Sequence, residues 1–164
     1  MIIKVPFGRG GVGKTASAEH APDMIVKEFL DGPLTHAGKR SHPDVLGLTL
    51  NQGNHTESHD AIQEAAEAAK EPFVAIGGDH SITYPLVKGF MANNKNKNAG
   101  LLVLDAHPDC MQKFSVPTHE NYLRMLIEEG IVSPERVVLA GIRNQDAEEK
   151  QFLEKHKILR FPMH

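Results

Sequence analysis

Two short apolar runs, each ending abruptly in acidic and imidazole side chains, most constrain what this chain can become: Phe73 to Ser81 reads FVAIGGDHS and Leu101 to Asp109 reads LLVLDAHPD. Each run is of strand length, and each is followed by a loop or a helix-compatible segment. Two buried strands therefore carry His80, Asp105, His107 and Asp109 to their ends. If the strands lie parallel in one sheet, their carboxyl ends share the edge at which open α/β sheets place ligands. Residues two apart on a strand point the same way, so Asp105 and His107 share a face, and Asp109 continues the series if the backbone stays extended through Pro108. Taken singly, His80 reads as a strand-end histidine and Asp105 and Asp109 as turn and cap residues. Together they are costly unless neutralised, and carboxylates with neutral imidazoles at this density fit a divalent transition metal.

GGDHS at Gly77 to Ser81 and DAHPD at Asp105 to Asp109, in this order and at this separation, resemble the two N-terminal metal motifs of the ureohydrolases, the arginase and agmatinase family. An opening strand ending in VPF, a glycine-rich stretch before a proline-started helix, and GIR at Gly141 to Arg143 resemble it too. The resemblance implies an α/β fold of three αβα layers around a mostly parallel sheet, as in arginases and deacetylases. It implies manganese, two ions per complete site, with His80 and Asp109 on the first ion, His107 on the second and Asp105 bridging them. It also implies a metal-dependent hydrolase that cleaves a carbon–nitrogen bond of a small guanidino or amidino substrate, with Asp109 and His119 as the catalytic residues. His119 stands where the family carries a histidine that shuttles protons or contacts substrate. The family's usual next residue is glycine, whereas Glu120 follows here, which implies an altered substrate pocket; a cap-adjacent surface histidine is the other reading of His119. The family's later SxDxD motif, whose aspartates complete both metal shells, has no counterpart here. The expectation is therefore one partial domain over residues 1–164, its sheet truncated at the C-terminus, with a weakly held second metal. Open strand edges of that kind favour a homo-oligomer.

Two alternatives stand beside this reading. One is a single-zinc amide hydrolase resembling the histone deacetylases. The other is a nucleotide-binding module, because Gly8 to Thr15, GRGGVGKT, fits the phosphate-loop pattern G-x-x-x-x-G-K-[ST]. A working phosphate loop needs a helix that starts at the Gly-Lys-Thr and runs on. Here Pro22 interrupts seven residues after Thr15, and the segment between lacks apolar periodicity.

Composition narrows the partners. A net charge of -3, from 18 basic and 21 acidic residues, offers no excess to recruit nucleic acid or a membrane surface. No apolar run approaches about 20 residues and the N-terminus lacks a signal-peptide pattern, so a cytoplasmic enzyme is expected. The one cysteine, Cys110, excludes an internal disulfide and reads as a small filler beside Asp109 rather than a soft ligand. Of ten histidines, His20, His36, His42, His55 and His59 lie in polar stretches and are expected to be solvated.

The remaining pattern alternates strand and helix. Strands are expected at Met1 to Phe7, Val45 to Leu50, Val137 to Ile142 and Ile158 to Phe161. Helices are expected at Pro22 to Leu30, Thr56 to Lys70, Ile82 to Met91, Thr118 to Glu129 with Thr118 as its cap, and Gln145 to His156. Asn93 to Asn98 reads as a polar loop. Such alternation implies a parallel sheet between helix layers.

Overall fold

In the computed structural model, which describes residues 1–15, 17–32, 38–39, 42–70, 72–93, 99–112 and 114–163, six parallel strands alternate with five helices. The strands are β1 (Ile2–Val5), β2 (Val45–Gly47), β3 (Val74–Gly77), β4 (Leu101–Leu104), β5 (Val137–Ile142) and β6 (Leu159–Pro162). The helices are α1 (Ala21–Asp31), α2 (His55–Ala68), α3 (Thr83–Asn93), α4 (Tyr122–Glu128) and α5 (Ala147–Lys155). His36 and residues 94–98 of the expected polar loop lie outside the described residues. No helix of the described residues is long and apolar enough to cross a membrane.

The expected parallel strands form two sheets rather than one, in the orders β2-β1-β3 and β4-β5-β6. Each has its own apolar core. Ile3, Val5 and Phe7 from β1 and its extension are fully buried with Ile62 of α2 and with Ile82. On the other sheet, Val137 and Leu139 of β5 pack with Tyr122, Leu123 and Leu126 of α4 and with Phe152 and Leu153 of α5. Among the described residues β3 pairs only with β1 and β4 only with β5, so one edge of each is open. Apolar residues beside those edges meet solvent: Val74 is 59% exposed, Leu102 63% and Leu104 76%. Parallel strands are normally covered on both faces, so these exposures mark surface that another element would cover.

Local chemistry explains most boundaries. Asn54 accepts a hydrogen bond from the Glu57 N–H at 3.1 Å and so starts α2. Pro22 sits in the first turn of α1, where its missing N–H costs nothing. Asp146 and Glu149 form a reciprocal capping box at the start of α5. One expected boundary is corrected: α4 begins at Tyr122, not Thr118. The Asn121 side chain accepts from the Thr118 N–H at 2.7 Å, closing a turn that delays the helix by one turn.

The histidines His55 and His59 are also corrected. They sit one helical turn apart in α2 and face inward onto Phe7, with the two imidazole centroids 4.1 Å apart. His59 is 6% exposed, and burial followed by its neighbour His55 pushes its pKa down to about 3. Polar neighbours in the sequence conceal that this helix face is the core-facing one. His20 and His42 are exposed as expected.

Candidate metal centre

Both strands that carry the acidic and imidazole motifs end in a tight turn built by an aspartate. After β3, the Asp79 carboxylate accepts from the Ser81 N–H at 2.8 Å and starts the single 3-10 turn His80–Ile82 that leads into α3. His80 is thereby aimed at the second sheet. Its Nδ1 lies 3.2 Å from Thr83 Oγ1, and its ring stacks on Tyr122 with centroids 4.7 Å apart. These contacts fix the ring and leave Nε2 at 3.1 Å from Asp105 Oδ2.

After β4, Asp105 stays in line because its N–H donates to the Ala140 carbonyl of β5 at 3.0 Å. Gly141, at φ 93°, lets the β5 backbone pass beside Asp105, whose carbonyl oxygen would stand 3.2 Å from an added Cβ. Asp105 Oδ1 then accepts from the His107 N–H at 2.9 Å, bending the chain, and Asp109 adopts a left-handed φ of 53°. The extended series expected from Asp105 through Asp109 is therefore not what forms. Asp109 reaches the group through a bend, in a conformation that aspartate tolerates better than most side chains.

The outcome is a three-donor group. One ligand atom each from His80, Asp105 and Asp109 lie within 4.8 Å of one another. His107 lies outside that group: its Nδ1 is 3.5 Å from Asp105 Oδ1, and its Nε2 is 3.2 Å from Asn144 Nδ2. Asp105 thus turns one carboxylate oxygen toward each of two imidazoles. Asp109 is 8% exposed; burial first, then the charges of Asp105, Glu149 and Glu120, push its pKa up to about 8. A buried carboxylate beside a second carboxylate is a poor anion in isolation, and a divalent cation between them reverses that. The donor set of two carboxylates and one imidazole fits a hard or borderline divalent ion. Cys110 is fully buried, and burial with the nearby carboxylates Glu149 and Asp109 raises its thiol well above its ordinary value, in keeping with a filler.

A recess of about 350 Å³ opens beside this group, lined in part by Asp109, His107, His119, Glu120, Asp146 and Glu149. His119 stands on its wall. Its backbone N–H donates to the Gly10 carbonyl at 3.1 Å, its Nδ1 lies 3.2 Å from the same oxygen, and its Nε2 lies 3.3 Å from Glu120 Oε1. Two groups here, Glu149 and Asp79, were not singled out from the sequence, and one pairing was not foreseen. Glu149, 5% exposed, accepts from the N–H groups of Cys110 and Asp146, each at 3.0 Å, and so ties α5 to the Asp109 bend. Its signal was the D-x-x-E spacing of a capping box. Asp79 accepts from the Gly10 N–H at 2.8 Å, holding the glycine-rich loop against the site. Lys14 donates to Glu120 at 2.8 Å across 106 residues of chain, which no local pattern announces.

The glycine-rich loop does not begin a helix at Gly13-Lys14-Thr15. It turns back so that Thr15 Oγ1 donates to the Gly8 carbonyl at 3.1 Å, and a short 3-10 turn at Ala18–His20 precedes α1. The helix N-terminus that a phosphate loop requires is absent among these described residues.

Comparison with known proteins agrees with this layout. An arginase of Eremothecium gossypii is 29% identical over 200 residues, an alignment covering 99% of this chain and 49% of that protein. A formimidoylglutamase of Bacillus subtilis superposes with a TM-score of 0.83 at 21% identity, covering 98% of this chain and 54% of the other. A Trypanosoma cruzi formiminoglutamase solved with Mn2+ superposes with a TM-score of 0.80 at 19% identity, over 98% and 58%. The chain thus spans about half the length of the relatives it matches. Its sequence matches the family over residues 1–164, and the chain belongs to the arginase family.

Proposed function

We propose that this chain carries the N-terminal part of a manganese-dependent hydrolase that cleaves a carbon–nitrogen bond of a guanidino or amidino compound. The observation that carries the reading is the group His80, Asp105 and Asp109 beside a recess that Asp109 lines together with further carboxylates. In this reading His80, Asp105 and Asp109 would hold the first ion, and Asp105 with His107 would hold the second. The two oxygens of Asp105, each facing a different imidazole, support its role as the bridge. Ions held there would supply the activated water that attack on a planar guanidinium carbon needs near neutral pH. Asp109 and the recess carboxylates favour a cationic substrate group over a neutral one, and a proton reaches the leaving amine from Asp109 or from His119 on the recess wall.

The two ions are held unequally in this proposal, because His107 is exposed and its Nε2 already faces Asn144. Calorimetric titration with manganese gives one tight and one weak equivalent per chain; two equally tight equivalents would contradict it. The open edges of β3 and β4 support self-association into a homo-oligomer, which sedimentation measures directly. The functional test is urea release from arginine, agmatine and guanidinobutyrate by the manganese-loaded protein. Release from at least one is expected, and a folded, metal-loaded sample silent on all three counts against the reading.

A further inference from the structure

The glycine-rich loop has no part in the reading above, yet it is fastened to the recess at several points. Gly10 donates to Asp79 and its carbonyl accepts from His119, and the approach is so close that a Cβ on Gly10 would lie 1.9 Å from Ser81 Oγ. From that anchor the chain reverses through Gly11 to Lys14, with the Lys14 N–H donating to the Gly11 carbonyl at 2.9 Å. The two central residues, Val12 at φ 51° and Gly13 at φ 79°, are both left-handed, as a type I′ turn requires. A β-branched residue seldom accepts that conformation. The turn delivers Lys14 to the rim of the recess, where its side chain is 69% exposed and its ammonium rests on Glu120.

The recess is consequently polar along its depth. Its floor is acidic and buried, with Asp109 of the candidate metal group and Glu149 occupied by two backbone N–H groups. Its rim carries the lysine. The acidic groups near the rim are already engaged: Glu120 Oε1 lies against both Lys14 Nζ and His119 Nε2, and Asp146 caps α5 through the Glu149 N–H. An ammonium has three N–H donors, and the contact with Glu120 uses one. A ligand whose cationic end lies on the floor presents its other end to Lys14. A carboxylate there gains a charge-assisted hydrogen bond, an alkyl end gains nothing, and a second ammonium meets like charge.

Resting on the hydrolase reading above, we infer that Lys14 is a specificity-determining residue that makes this recess a site for guanidino acids, whose carboxylate it receives at the rim. The test is calorimetric binding to the manganese-loaded protein, at one fixed ionic strength, of guanidinobutyrate, butylguanidine and agmatine, which share a guanidinium and differ in the charge at the far end. For an ion pair as exposed as this one, guanidinobutyrate binds about fivefold more tightly than butylguanidine. Lys14→Gln removes that preference, Lys14→Arg keeps it, and Lys14→Glu transfers it to agmatine; circular dichroism checks that each variant is folded. Equal binding of guanidinobutyrate and butylguanidine by the unaltered protein, or a preference that survives Lys14→Gln, overturns the assignment while leaving the hydrolase reading intact. If none of the three guanidines binds, the hydrolase reading fails and the assignment fails with it.

Discussion

Lowering the pH from 7 to 5 should weaken this fold through His59, and the size of the effect follows from where the ring sits. His59 is 6% exposed among Phe7, His55 and Tyr84, its Nε2 has no hydrogen-bond partner among the described residues, and its pKa is pushed down to about 3. In the unfolded chain the same ring titrates near 6.5. Below that value the unfolded state takes up a proton that the folded state refuses, so stability is full above pH 6.5 and is lost as the pH falls toward 3. The loss is about 1.4 kcal/mol per pH unit, or about 2 kcal/mol at pH 5 from this one group. His55 is shifted in the same direction, also by burial first, and adds to it. Asp109 acts oppositely across this window in metal-free protein, because its folded pKa is raised. The His59 contribution is therefore isolated by comparison with His59→Phe, which keeps a buried ring and removes the proton site. Urea unfolding followed by circular dichroism at pH 7 and pH 5 should show the variant gaining about 2 kcal/mol on the unaltered protein between the two conditions. An identical difference at both pH values would refute the reasoning, since it would mean that His59 takes its proton in the folded state as readily as in the unfolded one.

Other perturbations test the site and its support. Manganese at 100 times its dissociation constant should stabilise the protein by about 2.7 kcal/mol, and Asp105→Ala should abolish that gain in a thermal melt. His107→Ala should leave the tight manganese equivalent in place and weaken the second, as read by titration calorimetry. Glu149→Ala leaves the buried N–H of Cys110 without its acceptor and should cost about 1–3 kcal/mol in urea unfolding while loosening manganese binding at Asp109. Leu123→Ala, at a fully buried position of α4, should cost about 2–5 kcal/mol; a cost below 1 kcal/mol would mean that the second core is not packed as described.

The strands and their acidic and imidazole ends were legible because their signals are local: an apolar run of strand length stops at a charged residue, and the alternation of five helices with six strands repeats that rhythm. The path from Asp105 to Asp109 was not. Strand alternation predicts a shared face, but the Asp105 carboxylate captures the His107 N–H and the backbone turns left-handed at Asp109. The start of α4 was misplaced because Thr118 closes only a turn: its Oγ1 accepts from the Glu120 N–H at 3.3 Å and its own N–H donates to Asn121, and the regular helix begins at Tyr122. His55 and His59 were misjudged because their neighbours are polar while their own helix face meets Phe7. Lys14 and Glu120 were individually noticed, one in a phosphate-loop pattern and one as a departure from glycine. Their pairing depends on tertiary closure, which no window of sequence contains.

The division of the strands into two sheets bears on how the chain would respond to a cation. His80 follows a strand of the first sheet, whereas Asp105 and Asp109 follow a strand of the second, and among the described residues no backbone hydrogen-bond ladder joins the two. Among the described residues the packing of α3 on α4, the Gly10 loop and side chains such as His80 reaching Asp105 cross the seam between the halves. An ion gripped from both sides would act as a rivet through that seam. Its affinity and the alignment of the two leaves would then be a single thermodynamic quantity, and amide exchange along β3 and β4 should slow together when manganese is added.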